Sequence, residues 1–153
     1  VLAEWAAEHP EFDFVVLGTD VSTRVLGKAR EGIYSPEQVE PVPVEMRRKY
    51  LGMSRNGAER LVRVAPALRA KTVFHPLNFM DGDYGIRGLV DAVFFRNVMI
   101  YFDKETQAAV IRKICRHLAP GGYLFAGRSE SLFGLDIPVV QTGPSVFRKP
   151  ESG

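Results

Sequence analysis

The chain of 153 residues carries 20 lysines and arginines against 18 aspartates and glutamates, a formal net charge of +2, with 46% hydrophobic and 25% charged residues. That is one domain's length with enough apolar content for a sizeable core, and the balance argues against disorder. The mild charge gives no ground for a nucleic-acid partner, Cys115 as the only cysteine excludes a disulfide framework, and no apolar run reaches the length of a membrane span. His9, His75 and His117 are far apart, so no metal-ligand spacing such as HExxH joins them, and no metal is expected. A single cysteine suits a reducing cytosol, and residues 1–7 contain Glu4 and lack the basic start of a signal peptide, so a cytoplasmic location is expected. The first residue is valine, and the chain reads as a fragment of a longer protein or as a processed product.

Residues 1–8 place Leu2, Trp5 and Ala6 at helical spacing before Pro10 and read as the tail of a helix. Residues 12–17 form a compact apolar run before Gly18-Thr19-Asp20, the pattern of a buried strand. A helix is expected over 22–31, with Val25, Leu26 and Ala29 on one face and Gly32 past its end. Residues 35–70 break the rhythm with Pro36, Pro41, Pro43 and Pro66, a short helix near 44–51, a turn at Asn56-Gly57 and a strand at 61–64. This region is expected to be a small inserted antiparallel β-subdomain. From Arg47 to Lys71 it holds eight basic residues against one acidic residue, Glu59, which fits either a solvated hairpin or a docking surface for an acidic partner.

The α/β rhythm then resumes. A strand is expected over 72–77 before Asn78, and another over 92–95 before Arg96-Asn97, apolar enough to be covered on both faces. Residues 104–118 predict an amphipathic helix with Ala108, Ile111, Ile114, Cys115 and Leu118 on one face and Asp103 as its N-cap. Pro120-Gly121-Gly122 predicts a turn before a strand at 123–126. Residues 139–141 and 145–148 predict an antiparallel pair around Gly143-Pro144.

Open parallel sheets bind ligands outside the carboxyl ends of their strands, which draws attention to Asp20, Asn78, Arg96 and Asn97. A carboxylate at such a strand end suits the vicinal hydroxyls of a ribose, because it accepts two hydrogen bonds. Asp20 fits that role and equally the N-cap of the helix after it. Asn78 can present an amide to an adenine edge or serve a turn. Arg96 can pair with a nearby carboxylate, and Tyr101 and Phe102 can pack the start of the next helix.

Several runs taken together resemble the CheR family of chemoreceptor glutamate methyltransferases. They are Gly18-Thr19-Asp20-Val21-Ser22-Thr23, Ala29-Arg30-Glu31-Gly32-Ile33-Tyr34, Val73-Phe74 followed by Leu77-Asn78-Phe79, and Phe95-Arg96-Asn97-Val98-Met99-Ile100-Tyr101-Phe102-Asp103. Leu118-Ala119-Pro120-Gly121-Gly122-Tyr123-Leu124 and Gly127-Arg128-Ser129-Glu130-Ser131-Leu132 follow in the family's order, although Arg128 stands where the family often has histidine. The resemblance covers essentially the whole chain, and the run from Arg96 to Asp103 is its most specific part.

The resemblance implies an α/β, Rossmann-like S-adenosylmethionine-dependent methyltransferase sheet with a small inserted β-subdomain at about 35–70, residues 1–153 forming part of a C-terminal catalytic domain. It implies that the family's N-terminal helical domain, first strand and glycine-rich cofactor loop lie upstream of Val1. It also implies methyl transfer to receptor glutamates, with S-adenosylhomocysteine as the second product. Asp20 would hold the cofactor ribose, and Asn78 and Phe79 would contact the adenine region. Arg96 and Asn97 would line the cofactor and substrate mouth, and Tyr101 would position the substrate carboxylate. The implied partner is the cytoplasmic region of chemoreceptors, with a receptor tail peptide as a candidate for the inserted subdomain. Neither a nucleic-acid partner nor membrane insertion is implied. Two other readings compete: a non-catalytic docking remnant of such an enzyme, and a nicotinamide-dependent oxidoreductase, which Asp20 permits but the run from Arg96 to Asp103 does not suggest.

Overall fold

The computed structural model describes residues 1–56, 59–96, 98–99, 102–127, 132 and 134–151, and the side chains of these except residues 54–56 and 59. Asn97, Tyr101, Gly57 of the expected turn, and Arg128 with the three residues after it lie outside the described residues. The chain divides into two compact units, Val1–Asn78 and Phe79–Gly153.

The first unit opens with helix α1 (Leu2–Glu8), strand β1 (Val16–Asp20) and helix α2 (Thr23–Glu31). Ser22 caps α2 by accepting the Val25 N–H, worth about 1 kcal/mol for such a cap. Gly32 ends the helix at φ 62°, a left-handed conformation that costs a glycine no Cβ clash. Strand β2 (Ile33–Tyr34), short helices α3 (Pro36–Val39) and α4 (Val44–Tyr50), strands β3 (Leu51–Asn56) and β4 (Glu59–Val64), helix α5 (Pro66–Arg69) and strand β5 (Thr72–Pro76) follow. β2, β4 and β3 form an antiparallel sheet in that order, while β1 and β5 pair in parallel.

Several expectations shift here. The first strand begins at Val16 rather than Phe12 and runs on to Asp20, because pairing starts where β5 becomes available: Val16 N–H donates to Lys71 O at 2.8 Å, and Val16 stands opposite Thr72. The strand is also less buried than its composition predicts, with Val16 41% exposed. On α2 only Leu26 is buried, and Val25 faces solvent. Pro36 and Pro66 each open a helical turn, where a missing N–H costs nothing, rather than only breaking structure.

In the second unit, strand β6 (Val90–Phe95) pairs in parallel with β7 (Leu118–Ala126). Helix α6 (Lys104–His117) connects them and packs on β7. Strands β8 (Val140–Gly143) and β9 (Val146–Arg148) complete the order β6-β7-β9-β8, with β9 antiparallel to both neighbours. The α6 pattern holds: Ala108, Val110, Ile111, Ile114 and Cys115 are buried, and Asp103 caps the helix by accepting the Thr106 N–H at 2.8 Å. The Pro120-Gly121-Gly122 run lies within β7, where the register against β6 shifts, instead of standing before the strand as a turn. Nor is β6 covered on both faces: Phe95 is buried, but Phe94 is 70% exposed and stacks on Phe125 at 4.7 Å.

Candidate functional site

Each unit presents a polar strand tip. In the first, β1 ends at Asp20 opposite Pro76 of β5, and the Asp20 carbonyl accepts the Leu77 N–H at 3.1 Å. Asp20 and Asn78 therefore emerge at the same end of one parallel pair, with buried Leu77 anchoring the chain just before Asn78. The Phe74 ring lies over Gly18, where an added Cβ would come within 2.8 Å of it. Asp20 is half-buried, and its Oδ1 accepts the Ser22 N–H at 2.7 Å. The helix cap is Ser22 itself, so Asp20 is not the cap of α2. Among the described residues Asp20 Oδ2 has no hydrogen-bond partner and no cation pairs with it.

In the second unit, β6 ends at buried Phe95, and Arg96 follows it into solvent. Phe79 is half-buried and sits edge-on to Phe95 at 5.1 Å and to Tyr84 at 6.0 Å. The segment from Phe79 to Tyr84 is closed by its own contacts, because Tyr84 Oη donates to Phe79 O at 3.3 Å. Burial of Tyr84 pushes its phenol up to about 12, so it remains a neutral donor at physiological pH.

Two α6 side chains missed by sequence reasoning hold neighbouring backbone. Gln107 Nε2 donates to Met99 O at 3.0 Å and Phe102 O at 2.9 Å, and Phe102 N–H also donates to Met99 O. Lys113 Nζ donates to Phe79 O at 3.1 Å and Asp81 O at 2.6 Å. The signal available in the sequence was weak: a glutamine and a lysine at partly buried positions of an otherwise apolar-faced helix. Cys115 has no evident chemistry, since burial pushes its thiol up to about 11 and keeps it protonated.

The β2-β4-β3 sheet carries a different surface. β3 is an edge strand of its sheet, and beside it lies a pocket of about 490 Å³ lined by Lys49, Leu51, Met53, Arg63 and Pro66 among others. Not all of the basic run is available there: Lys49 pairs with Glu4 at 2.8 Å, Lys71 pairs with Asp13, and Arg69 donates to Arg30 O at 3.1 Å. Arg48, Arg60 and Arg63 are exposed. Among the described residues no cluster of His, Cys, Asp or Glu could hold a metal ion, and no helix is long and apolar enough to cross a membrane.

Residues 1–144 match the family model described as CheR methyltransferase, SAM binding domain. The chain belongs to the CheR family. S-adenosylmethionine is the cofactor of this family's domain. Similar proteins include the chemotaxis protein methyltransferases of Klebsiella aerogenes, 40% identical over 133 residues, and of Escherichia coli K12, 39% identical over 132 residues. Each alignment covers 86% of this chain and 46% of the relative. Chemotaxis protein methyltransferase 2 of Pseudomonas aeruginosa is 34% identical over 132 residues, covering 86% of this chain and 47% of that protein. The chain thus spans about half the length of the curated relatives it matches.

Proposed function

We propose that the protein to which this CheR domain belongs transfers methyl groups from S-adenosylmethionine to glutamate side chains of chemotaxis receptors in the cytoplasm, giving glutamate methyl esters and S-adenosylhomocysteine. The observation that carries the reading is Asp20. Its carboxylate stands at a parallel-strand tip, oriented through Oδ1 by the Ser22 N–H, with Oδ2 unengaged among the described residues. That donor-poor, half-buried acceptor suits the vicinal hydroxyls of the cofactor ribose. Asn78 at the same strand ends and Phe79 next in sequence are assigned to the adenine region. Arg96 and Asn97 are assigned to the cofactor and substrate mouth, and Tyr101 to the acceptor carboxylate. A Rossmann-like methyltransferase architecture is the proposed fold class, supported by the parallel pairing of β1 with β5 and of β6 with β7.

Bound S-adenosylmethionine supplies an electrophilic methyl on a positively charged sulfonium. A glutamate carboxylate is already ionised at neutral pH, so the protein needs no strong general base. Its contribution is to align the acceptor oxygen with the methyl and to strip water from the carboxylate. Arg96 and Tyr101 suit that task as a cation and a hydroxyl donor.

The region at about 35–70 is assigned to receptor docking. An acidic receptor tail peptide is the proposed ligand of the pocket beside edge strand β3, where Arg63 contributes positive charge and Met53 an apolar contact. The test uses the full-length protein, methyl-labelled S-adenosylmethionine and a receptor cytoplasmic fragment. Label should appear on receptor glutamates and be released by mild alkali, and raising salt should weaken receptor association. Absence of alkali-labile label would remove the enzymatic reading, and salt-independent association would remove electrostatic docking.

A further inference from the structure

Lys113 projects from the third turn of α6 towards a segment more than thirty residues earlier in the chain. A lysine ammonium has three donors and no acceptor. Two of them are spent on backbone carbonyls, Phe79 O at 3.1 Å and Asp81 O at 2.6 Å, and the ammonium lies 5.5 Å from the centroid of the Tyr84 ring. Tyr84 is only 4% exposed, stacks on His117 of α6 at 5.9 Å, and returns a third contact by donating from its hydroxyl to Phe79 O. The Phe79 carbonyl therefore receives two donors while its ring rests edge-on against Phe95, the last residue of β6. A bond to a backbone carbonyl constrains where the residue's Cα and ring can sit. Lys113 is thus tied to the conformation of the segment rather than to any one side chain.

We infer that Lys113 is a positioning residue for cofactor binding: it fixes residues 79–84 so that Phe79 is presented beside the β6 tip in one orientation. The inference rests on the proposed adenine contact of Phe79 and deepens that reading. Because Lys113 acts before the cofactor arrives, its loss raises the cost of ordering the segment when the cofactor binds and leaves the methyl-transfer step itself unchanged.

The experiment compares full-length protein, Lys113→Met, Lys113→Arg and Val110→Ala. Lys113→Met keeps the apolar stem and removes the donors, whereas Lys113→Arg restores a cation and donors. Val110, 1% exposed, is a core position whose truncation lowers stability without touching residues 79–84 through hydrogen bonds. Lys113→Met should weaken S-adenosylmethionine binding about tenfold, the scale of charged hydrogen bonds lost from a positioning contact, with kcat at saturating cofactor within about twofold of the unmodified protein. Lys113→Arg should recover most of the affinity, and Val110→Ala should lower the melting temperature with little change in affinity. Without cofactor, amide hydrogen exchange over residues 79–84 should rise in Lys113→Met and stay unchanged over β9. Unchanged cofactor affinity in Lys113→Met overturns the inference, as does an equal loss in Val110→Ala or a fall confined to kcat. Failure of the unmodified protein to bind S-adenosylmethionine would instead strike the proposed function, and the exchange measurement would still report whether Lys113 holds the segment.

Discussion

In the second unit a helix of 14 residues lies on β7, and Val110, Ile111, Ile114, Cys115, Leu118 and Leu124 are almost wholly withdrawn from water. In the first unit only Leu26, Val39, Val62 and Leu77 are buried among the described apolar residues, and Val15, Val16, Val25 and Val73 are exposed along or beside β1, α2 and β5. Both units nevertheless offer a polar strand tip. At the second, the tip follows a packed aromatic cluster of Phe95, Phe79 and Tyr84. At the first, Asp20 is held by local bonds: the parallel ladder to β5, the Leu77 N–H on its carbonyl and the Ser22 N–H on its carboxylate. The difference teaches that a strand-tip carboxylate can be oriented by backbone hydrogen bonds where side-chain packing is thin, and that the two tips should respond differently to damage.

The largest expected effect is on stability. Ile111→Ala, at a site with 0% exposure, should cost about 3–4 kcal/mol in denaturant unfolding, whereas Leu26→Ala should cost about 2–3 kcal/mol because its unit holds fewer buried apolar side chains among the described residues. Equal losses would break the comparison, since they would mean that the first unit is as tightly packed as the second. A smaller effect sharpens the contrast within the second unit. Gln107→Met removes two hydrogen bonds to Met99 O and Phe102 O, so local opening at Phe102 should become easier by about 1–2 kcal/mol. Faster exchange of the Phe102 amide with unchanged exchange at Ile111 would show it. Unchanged Phe102 exchange would mean that packing around buried Met99 suffices without the glutamine.

The elements best legible in the sequence were those with local signals. α6 combines a helical apolar period with an Asp103 cap, α2 is bracketed by Ser22 and Gly32, and the β8–β9 pair turns at Pro144-Ser145. What could not be read were features set by distant partners. The start of β1 depends on where β5 can pair, and the extent of β7 depends on its shifted register against β6 and on backbone bonds with Lys149. The exposed face of Phe94 was hidden for the same reason: an apolar run reports hydrophobicity, not whether anything covers it. For the candidate site, strand-end logic brought out Asp20, Asn78, Arg96 and Asn97, and the family resemblance added Phe79 and Tyr101 as candidates. Lys113 and Gln107 escaped because their partners are backbone carbonyls, which leave no mark on side-chain identity.

The central claim is that Asp20 serves the cofactor ribose rather than the fold. Calorimetric titration of S-adenosylmethionine into the full-length protein and its Asp20→Ala variant tests it most directly, with a melting curve of each. The account predicts a loss of roughly 1.5–3 kcal/mol in binding, the scale of hydrogen bonds to a charged group, with the fold largely intact because Ser22 still caps α2. Unchanged affinity would contradict it and leave Asp20 as a turn residue whose carboxylate serves only the Ser22 N–H.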